Sequence, residues 1–127
     1  MNNPKTFGLT HLAIAVNDVV RTMKFYQDVF DMQTMYHENG FIQLNTPGCN
    51  DILVFEEKRD RLIGQTGGIA HFGFRLKNPG DIHDIVNRVI TAGGTIIDKG
   101  EFIPGSPYIF FKDLDGYEVE VWYELLK

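Results

Sequence analysis

The chain repeats itself. Thr10-His11-Leu12-Ala13-Ile14-Ala15-Val16-Asn17-Asp18 and Ala70-His71-Phe72-Gly73-Phe74-Arg75-Leu76-Lys77-Asn78 share one pattern: a small or polar residue, a histidine, an apolar run and a polar stop. The histidines stand 71 − 11 = 60 residues apart. An internal period of that size restricts a chain to pairing copies of one supersecondary unit. The question it raises is why two copies should each begin with a histidine at the mouth of an apolar strand.

The repeat extends well beyond the histidines. In the first copy, residues 8–16 alternate as a strand, and Asn17 or Asp18 can offer a side-chain oxygen to the free amides of the next helix. VVRTMKFYQDVF places Val19, Val20, Met23, Phe25, Tyr26 and Phe30 near helical spacing. DMQTMYHE predicts a strand with Met32, Thr34 and Tyr36 on one parity. Asn39-Gly40 predicts a hairpin turn, because both positions tolerate φ > 0. FIQLNT and DILVFEE follow as its arms.

The second copy keeps the order: GGIAHFGFRL as a strand, then PGDIHDIVNRVITAGG as a helix. Asp81 is its expected cap, Ile82, Ile85, Val86, Val89 and Ile90 its apolar stripe, and Gly93-Gly94 its left-handed stop. TIIDKGEF, a PGSP loop, and the pair YIFFKD and YEVEVWYEL around Asp-Gly complete it. Each half therefore reads as βαβββ, and KRDRLIGQTGG, residues 58–68, is the expected linker.

A chain of 127 residues with 43% apolar and 23% charged residues suits one compact domain made of two halves. The net charge is −5, and lysine and arginine form no run or stripe, so neither nucleic acid nor an anionic membrane surface is an expected partner. The single cysteine, Cys49, cannot form an intrachain disulfide, which fits a reduced, cytoplasmic setting. No leader pattern is expected at MNNPKTFG, and no apolar run approaches the roughly 20 residues of a membrane-spanning helix.

Strand alternation sorts the side chains. His11 shares a face with Ala13 and Ala15, and His71 shares one with Gly73 and Arg75. The opposite faces, Leu12, Ile14, Val16 and Phe72, Phe74, Leu76, are bulky and read as core. In the last strand Glu118, Glu120, Trp122 and Glu124 share one face, which suits either a half-exposed edge or the wall of a polar cavity. Two imidazoles and a carboxylate make a reasonable set for a divalent ion. Such a set would be assembled from distant strands, and strand histidines are as readily hydrogen-bonded bystanders. Arg75 suits a substrate carboxylate or an ion pair with an acid such as Glu118. Tyr108 suits a hydrogen bond to a substrate oxygen or loop packing, and Trp122 and Phe110 suit an apolar wall or the core. His37 at a hairpin tip and His83 on a helix read as solvated.

The paired βαβββ order, THLAIAVND with FYQDVF behind it, AHFGFRL, and the closing FKDLDGYEVEVW together resemble the vicinal oxygen chelate superfamily. That group includes glyoxalase I, fosfomycin-resistance thiol transferases, methylmalonyl-CoA epimerase, extradiol dioxygenases and bleomycin-binding proteins. The resemblance implies an α+β fold: two tandem βαβββ modules, about residues 7–57 and 69–124, forming a curved, barrel-like mixed sheet around a metal-binding cavity. It implies His11, His71 and Glu120 as ligands, the last falling four residues after Gly116 in the family's D-x-D-G ending. It further implies a divalent ion (iron, manganese, nickel, cobalt or zinc), a small-molecule substrate, and a homodimer whose modules pair across the interface.

Departures from the family narrow the activity. Glyoxalase I takes a fourth acid from the first module, but superposing DILVFE on YEVEVW sets Val54 at the position of Glu120, with Glu56 the nearest acid of that parity. The epimerase would want a glutamine there, and Gln43 falls on the neighbouring strand. The fosfomycin enzymes commonly carry a threonine where Ala13 stands and a tyrosine where Phe110 stands. The expected function is a metal-dependent lyase or isomerase of glyoxalase type, with an Fe(II) extradiol-type dioxygenase and a non-enzymatic antibiotic-binding protein as alternatives. Glu56 and Glu118 are the candidate bases; Arg75, Tyr108 and Trp122 are the candidate substrate contacts.

Overall fold

The computed structural model describes residues 3–58 and 60–124, so Arg59 of the linker and both chain ends lie outside the described residues. Each half forms a four-stranded mixed sheet and one main helix. In the first module these are β1 (Leu12–Ala15), α1 (Val19–Phe30), β2 (Gln33–Glu38), β3 (Phe41–Asn45) and β4 (Leu53–Glu56). In the second they are β5 (Phe72–Leu76), α2 (Ile82–Thr91), β6 (Thr95–Glu101), β7 (Pro107–Lys112) and β8 (Glu118–Tyr123). The sheet orders β1-β4-β3-β2 and β5-β8-β7-β6 are the same order twice, each with one parallel pair at the edge. This is the α+β, two-module fold the repeat implied.

The correspondence reaches single residues. Both β2 and β6 carry a bulge at the same point, skipping Met35 and Ile97 in the pairing. The shared face expected for Met32, Thr34 and Tyr36 is not found: Met32, ahead of β2, is buried, whereas all six residues of β2 are exposed at the edge of the sheet. The expected strands 8–16 and GGIAHFGFRL are also shorter than read, so both histidines sit one residue ahead of the strand they introduce. The alternating pattern ran past the last residue that has a neighbouring strand to pair with.

Asp18 caps α1, accepting from the amides of Val20 (3.0 Å) and Arg21 (3.2 Å). Asp81 stands at the cap of α2 but makes no capping hydrogen bond; Asn78 instead accepts from Gly80 N–H (2.9 Å) in a 3-10 turn that leads in. At the far end Gly93, at φ 100°, sets up paired bonds: its N–H donates to the Ile90 carbonyl and the Gly94 N–H to that of Val89. These satisfy carbonyls the helix end would leave free. At the Asn39-Gly40 turn only Gly40 takes positive φ. In both helices the apolar stripe is narrower than read, because Val20 (55% exposed) and Ile90 (58%) lie outside it.

The core joins the modules through α1. Phe30 stacks on Phe74 of β5 with centroids 3.8 Å apart, and Phe25 meets Phe111 of β7 at 6.1 Å. Ile14, Val16, Val119 and Val121 turn inward to this core. The opposite sheet faces, with Ala13, Gly73 and Arg75, are left open.

The D-x-D-G turn between β7 and β8 fastens the same junction. Tyr26 of α1 donates to Asp113 Oδ2 (2.8 Å), and Asp113 Oδ1 accepts from the amides of Asp115 and Tyr117. Asp115 accepts from Asn17 N–H and Nδ2, Arg21 Nη2 and Thr22 Oγ1. Tyr117 closes the seam by donating to the Ala15 carbonyl (2.7 Å). Burial, with Asp113 beside it, pushes the Tyr26 hydroxyl well above its ordinary pKa, so it stays a donor.

Candidate metal centre

Sheet pairing places Glu120 between Gly73 of β5 and Phe110 of β7. Gly73 matters here for space: a Cβ on it would lie 3.2 Å from the Glu120 carbonyl and 3.7 Å from Glu120 Oε1. With no side chain in the way, the carboxylate folds over β5 toward His71, whose Nε2 lies 3.5 Å from Glu120 Oε1. Phe110 meets the imidazole edge-on at 5.1 Å. The two groups sit on an open face, with side chains 35% and 15% exposed.

A gap of 3.5 Å exceeds an ordinary N–H···O bond. It lies within ion-pair range if the imidazole is protonated, and it also leaves room for one ion between the two groups, since metal–ligand bonds of about 2.1 Å put neighbouring ligands roughly 3.0–3.5 Å apart. The donor types, one imidazole nitrogen and one carboxylate oxygen, suit a divalent ion of the first transition row.

His11 does not join them. It is exposed at the start of β1, at the position in the first module that His71 holds in the second. Among the described residues no three His, Cys, Asp or Glu side chains of one chain converge on a metal. The register locates the break in symmetry: Ala13 pairs with Val54 as Gly73 pairs with Glu120. Val54 is therefore the counterpart of Glu120, as the superposed strands implied, and Glu56 is the counterpart of Trp122. Gln43 stands beside Val54 on β3.

The remaining candidates divide between two places. Glu56 and Glu118 line a groove of about 600 Å³ between the modules, walled by β1 on one side and Ile69–Phe72 on the other, which also reaches His71. Arg75, Trp122 and Tyr108 form one cross-strand row on the open face, next to the row of Gly73, Glu120 and Phe110. Arg75 makes no ion pair among the described residues, so the expected alternative of a bond to Glu118 is not found. Tyr108 donates to Asp98 Oδ2 (3.3 Å), and desolvation together with that carboxylate raises its pKa. His37 and His83 are exposed and apart from the site. Phe102, which stacks on Tyr108 at 4.3 Å, was not expected here; only the hairpin that folds it back reveals it.

The family model of the Glyoxalase/Bleomycin resistance protein/Dioxygenase superfamily matches residues 8–121, and the chain belongs to that family. Among solved structures it is similar to the fosfomycin resistance protein FosX of Listeria monocytogenes complexed with Mn(II) and sulfate, at 19% identity and TM-score 0.79 over 96% of this chain and 94% of that one. FosX of Mesorhizobium loti is 20% identical, with TM-score 0.77 over 96% of each chain. A glyoxalase/bleomycin resistance protein/dioxygenase family enzyme of Burkholderia phytofirmans is 21% identical, with TM-score 0.77 over 91% of this chain and 98% of that one. At these identities the likeness is one of fold. A search of curated proteins finds no match. No helix of the described residues is long and apolar enough to cross a membrane.

Proposed function

We propose that this protein is a metal-dependent enzyme that binds a small oxygen-rich metabolite at a three-residue centre, with lyase or isomerase chemistry of glyoxalase type. The carrying observation is the His71–Glu120 pair, 3.5 Å apart above Gly73 on an open sheet face. The third ligand is His11 of a second copy, in a homodimer whose modules pair across the interface. Two features support that assembly: His11 lies outside the pair within one chain, and the arm leading to it leaves Phe7 and Leu9 almost wholly exposed. Exposed aromatic and aliphatic groups on one arm suit a protein contact.

Bound there, a divalent ion would act as a Lewis acid on a substrate oxygen. The chain's own residues do the rest. Phe110 holds the His71 ring edge-on, and Gly73 admits the carboxylate. Val54 withholds the fourth acid, which leaves more of the coordination sphere to substrate. Glu118, one residue beyond the Phe72–Val119 pair and therefore level with His71, is the candidate base for proton transfer, with Glu56 across the groove as the second. Ala13 and Phe110, in place of the threonine and tyrosine of the fosfomycin enzymes, weigh against fosfomycin as the substrate. The exposed thiol of Cys49 fits a reduced, cytoplasmic setting.

The two-histidine, one-carboxylate donor set also supports a second reading, an Fe(II) dioxygenase of extradiol type. Titrating purified protein with Mn(II), Fe(II) and Zn(II) tests both readings, and about one ion per chain is expected. If neither the isolated nor the reconstituted protein binds a divalent ion, the enzyme readings fail and a ligand-sequestering role takes their place. Oxygen uptake with catechols would favour the dioxygenase.

A further inference from the structure

We propose that the open face of the second sheet is built for an aromatic carboxylate. The ring would lie on an aromatic floor beside the His71–Glu120 pair, and the acid group would meet Arg75. The inference names a substrate class for the metal site proposed above and rests on that reading for its chemistry.

Four aromatic groups converge on this face. From the Phe110 ring that meets His71, Tyr108 lies 5.7 Å on, Phe102 stacks on Tyr108 at 4.3 Å, and Trp122 meets Phe102 edge-on at 6.2 Å. None of the four is buried; Phe102 is 53% exposed. Aromatic groups are costly to leave in water, and their faces and edges favour another ring in offset or edge-on contact. Glycine leaves room for the floor: a Cβ at Gly100 would lie 3.1 Å from the Tyr108 hydroxyl, so Tyr108 reaches over position 100 in close contact with its backbone.

The charge pattern selects the acid. Arg75 stands in register with Trp122, which stands in register with Tyr108, so Arg75 ends the aromatic row on the edge strand. It is exposed and makes no ion pair among the described residues. A planar guanidinium beside an aromatic floor receives a flat carboxylate through two parallel hydrogen bonds. The adjacent row holds Glu120, and two residues along a strand span about 7 Å. One six-membered ring bridges that interval, with its acid at Arg75 and a substituent oxygen toward His71 and Glu120. Of the acids nearby, Asp98 is engaged with Tyr108 and with the Lys99 amide (2.8 Å) and Glu120 faces His71, whereas Glu118 on β8 and Glu124 just beyond it carry their charge, so the Arg75 guanidinium has to outweigh them.

Trp122 is the only tryptophan, so its fluorescence reports directly on this face. The full chain is titrated with benzoate, cyclohexanecarboxylate and benzyl alcohol, with and without Mn(II). Benzoate is expected to change the emission saturably, with cyclohexanecarboxylate and benzyl alcohol each about tenfold weaker, since each lacks one of the two recognition elements. Arg75→Gln, at an exposed position, is expected to weaken benzoate about tenfold and to leave benzyl alcohol unchanged. Phe102→Ala is expected to weaken both aromatic probes. No saturable response to benzoate, equal affinity for cyclohexanecarboxylate, or unchanged benzoate binding by Arg75→Gln would each overturn the proposal. Mn(II) binding, measured separately by calorimetry, tells the two readings apart. Benzoate binding without Mn(II) binding sinks the metal centre and leaves the aromatic floor standing; the converse sinks only the floor.

Discussion

A single missing side chain places the candidate carboxylate. Gly73 is in ordinary extended backbone, and its value is the room it leaves for Glu120 to reach His71. A valine there would push methyl groups into the space now taken by the Glu120 carbonyl and carboxylate. Gly73→Val is therefore expected to lower metal affinity by about tenfold or more while the chain stays folded, because misplacing a ligand costs affinity on that scale. Calorimetric metal titration beside a thermal melt measures both; full affinity in a folded variant would show that Gly73 does not govern the carboxylate. Little of this could be read from the residues alone. Glu120 came from its distance after Gly116, and Gly73 entered only as a small neighbour of His71. Which carboxylate oxygen faces which imidazole nitrogen depends on the β5–β8 register, which no local pattern encodes.

The turn between β7 and β8 ties the second module to the first helix of the other. Asp113 and Asp115 of the D-x-D-G turn bind that helix through Tyr26, Arg21 and Thr22. Burial is the largest influence on Asp113 and raises its pKa above the ordinary 3.8, against the opposing pull of the Tyr26 and Tyr117 hydrogen bonds. The sign follows from linkage. A carboxyl whose folded pKa is raised is bound to its proton more tightly when folded, so its contribution is full below the unfolded value and is lost as pH rises through the folded one. Asp113→Asn removes that dependence. The stability of the variant relative to the parent is expected to rise steadily as pH increases from about 4, the usual aspartate value, into the weakly acidic range. Chemical denaturation at a series of pH values measures it, and a constant difference would contradict the assignment. Helix and strand existence were legible from periodicity. Their ends were not, because pairing partners and caps such as Asn78 compete with local preference.

For the whole molecule, the repeat has a consequence for assembly. If each centre takes His11 from one chain and His71 with Glu120 from the other, His11→Ala and Glu120→Ala homodimers both lack every complete site. Mixing them after dissociation makes half the dimers mixed, and each mixed dimer regains one intact site of two. About a quarter of the sites are then restored, a number set by two-fold symmetry alone. Metal stoichiometry of the mixture reads this directly, with light scattering to establish the dimer. No recovery on mixing, or a stable monomer that binds metal, would refute the shared centre.

The sequence by itself determined the duplication, the α+β order of each module, the two histidines at equivalent points and the loss of symmetry at Val54. All of these are carried by periodicity and by comparison of the halves, which are local properties of the chain. The tertiary structure alone decided which groups meet. It brought Glu120 to His71 across a glycine, kept His11 on the other module, folded Phe102 onto Tyr108 and left Arg75 without a partner. The reason is physical: side-chain encounters between strands are set by register, bulges and the packing of α1 into both halves, and residues far apart in the chain fix these together.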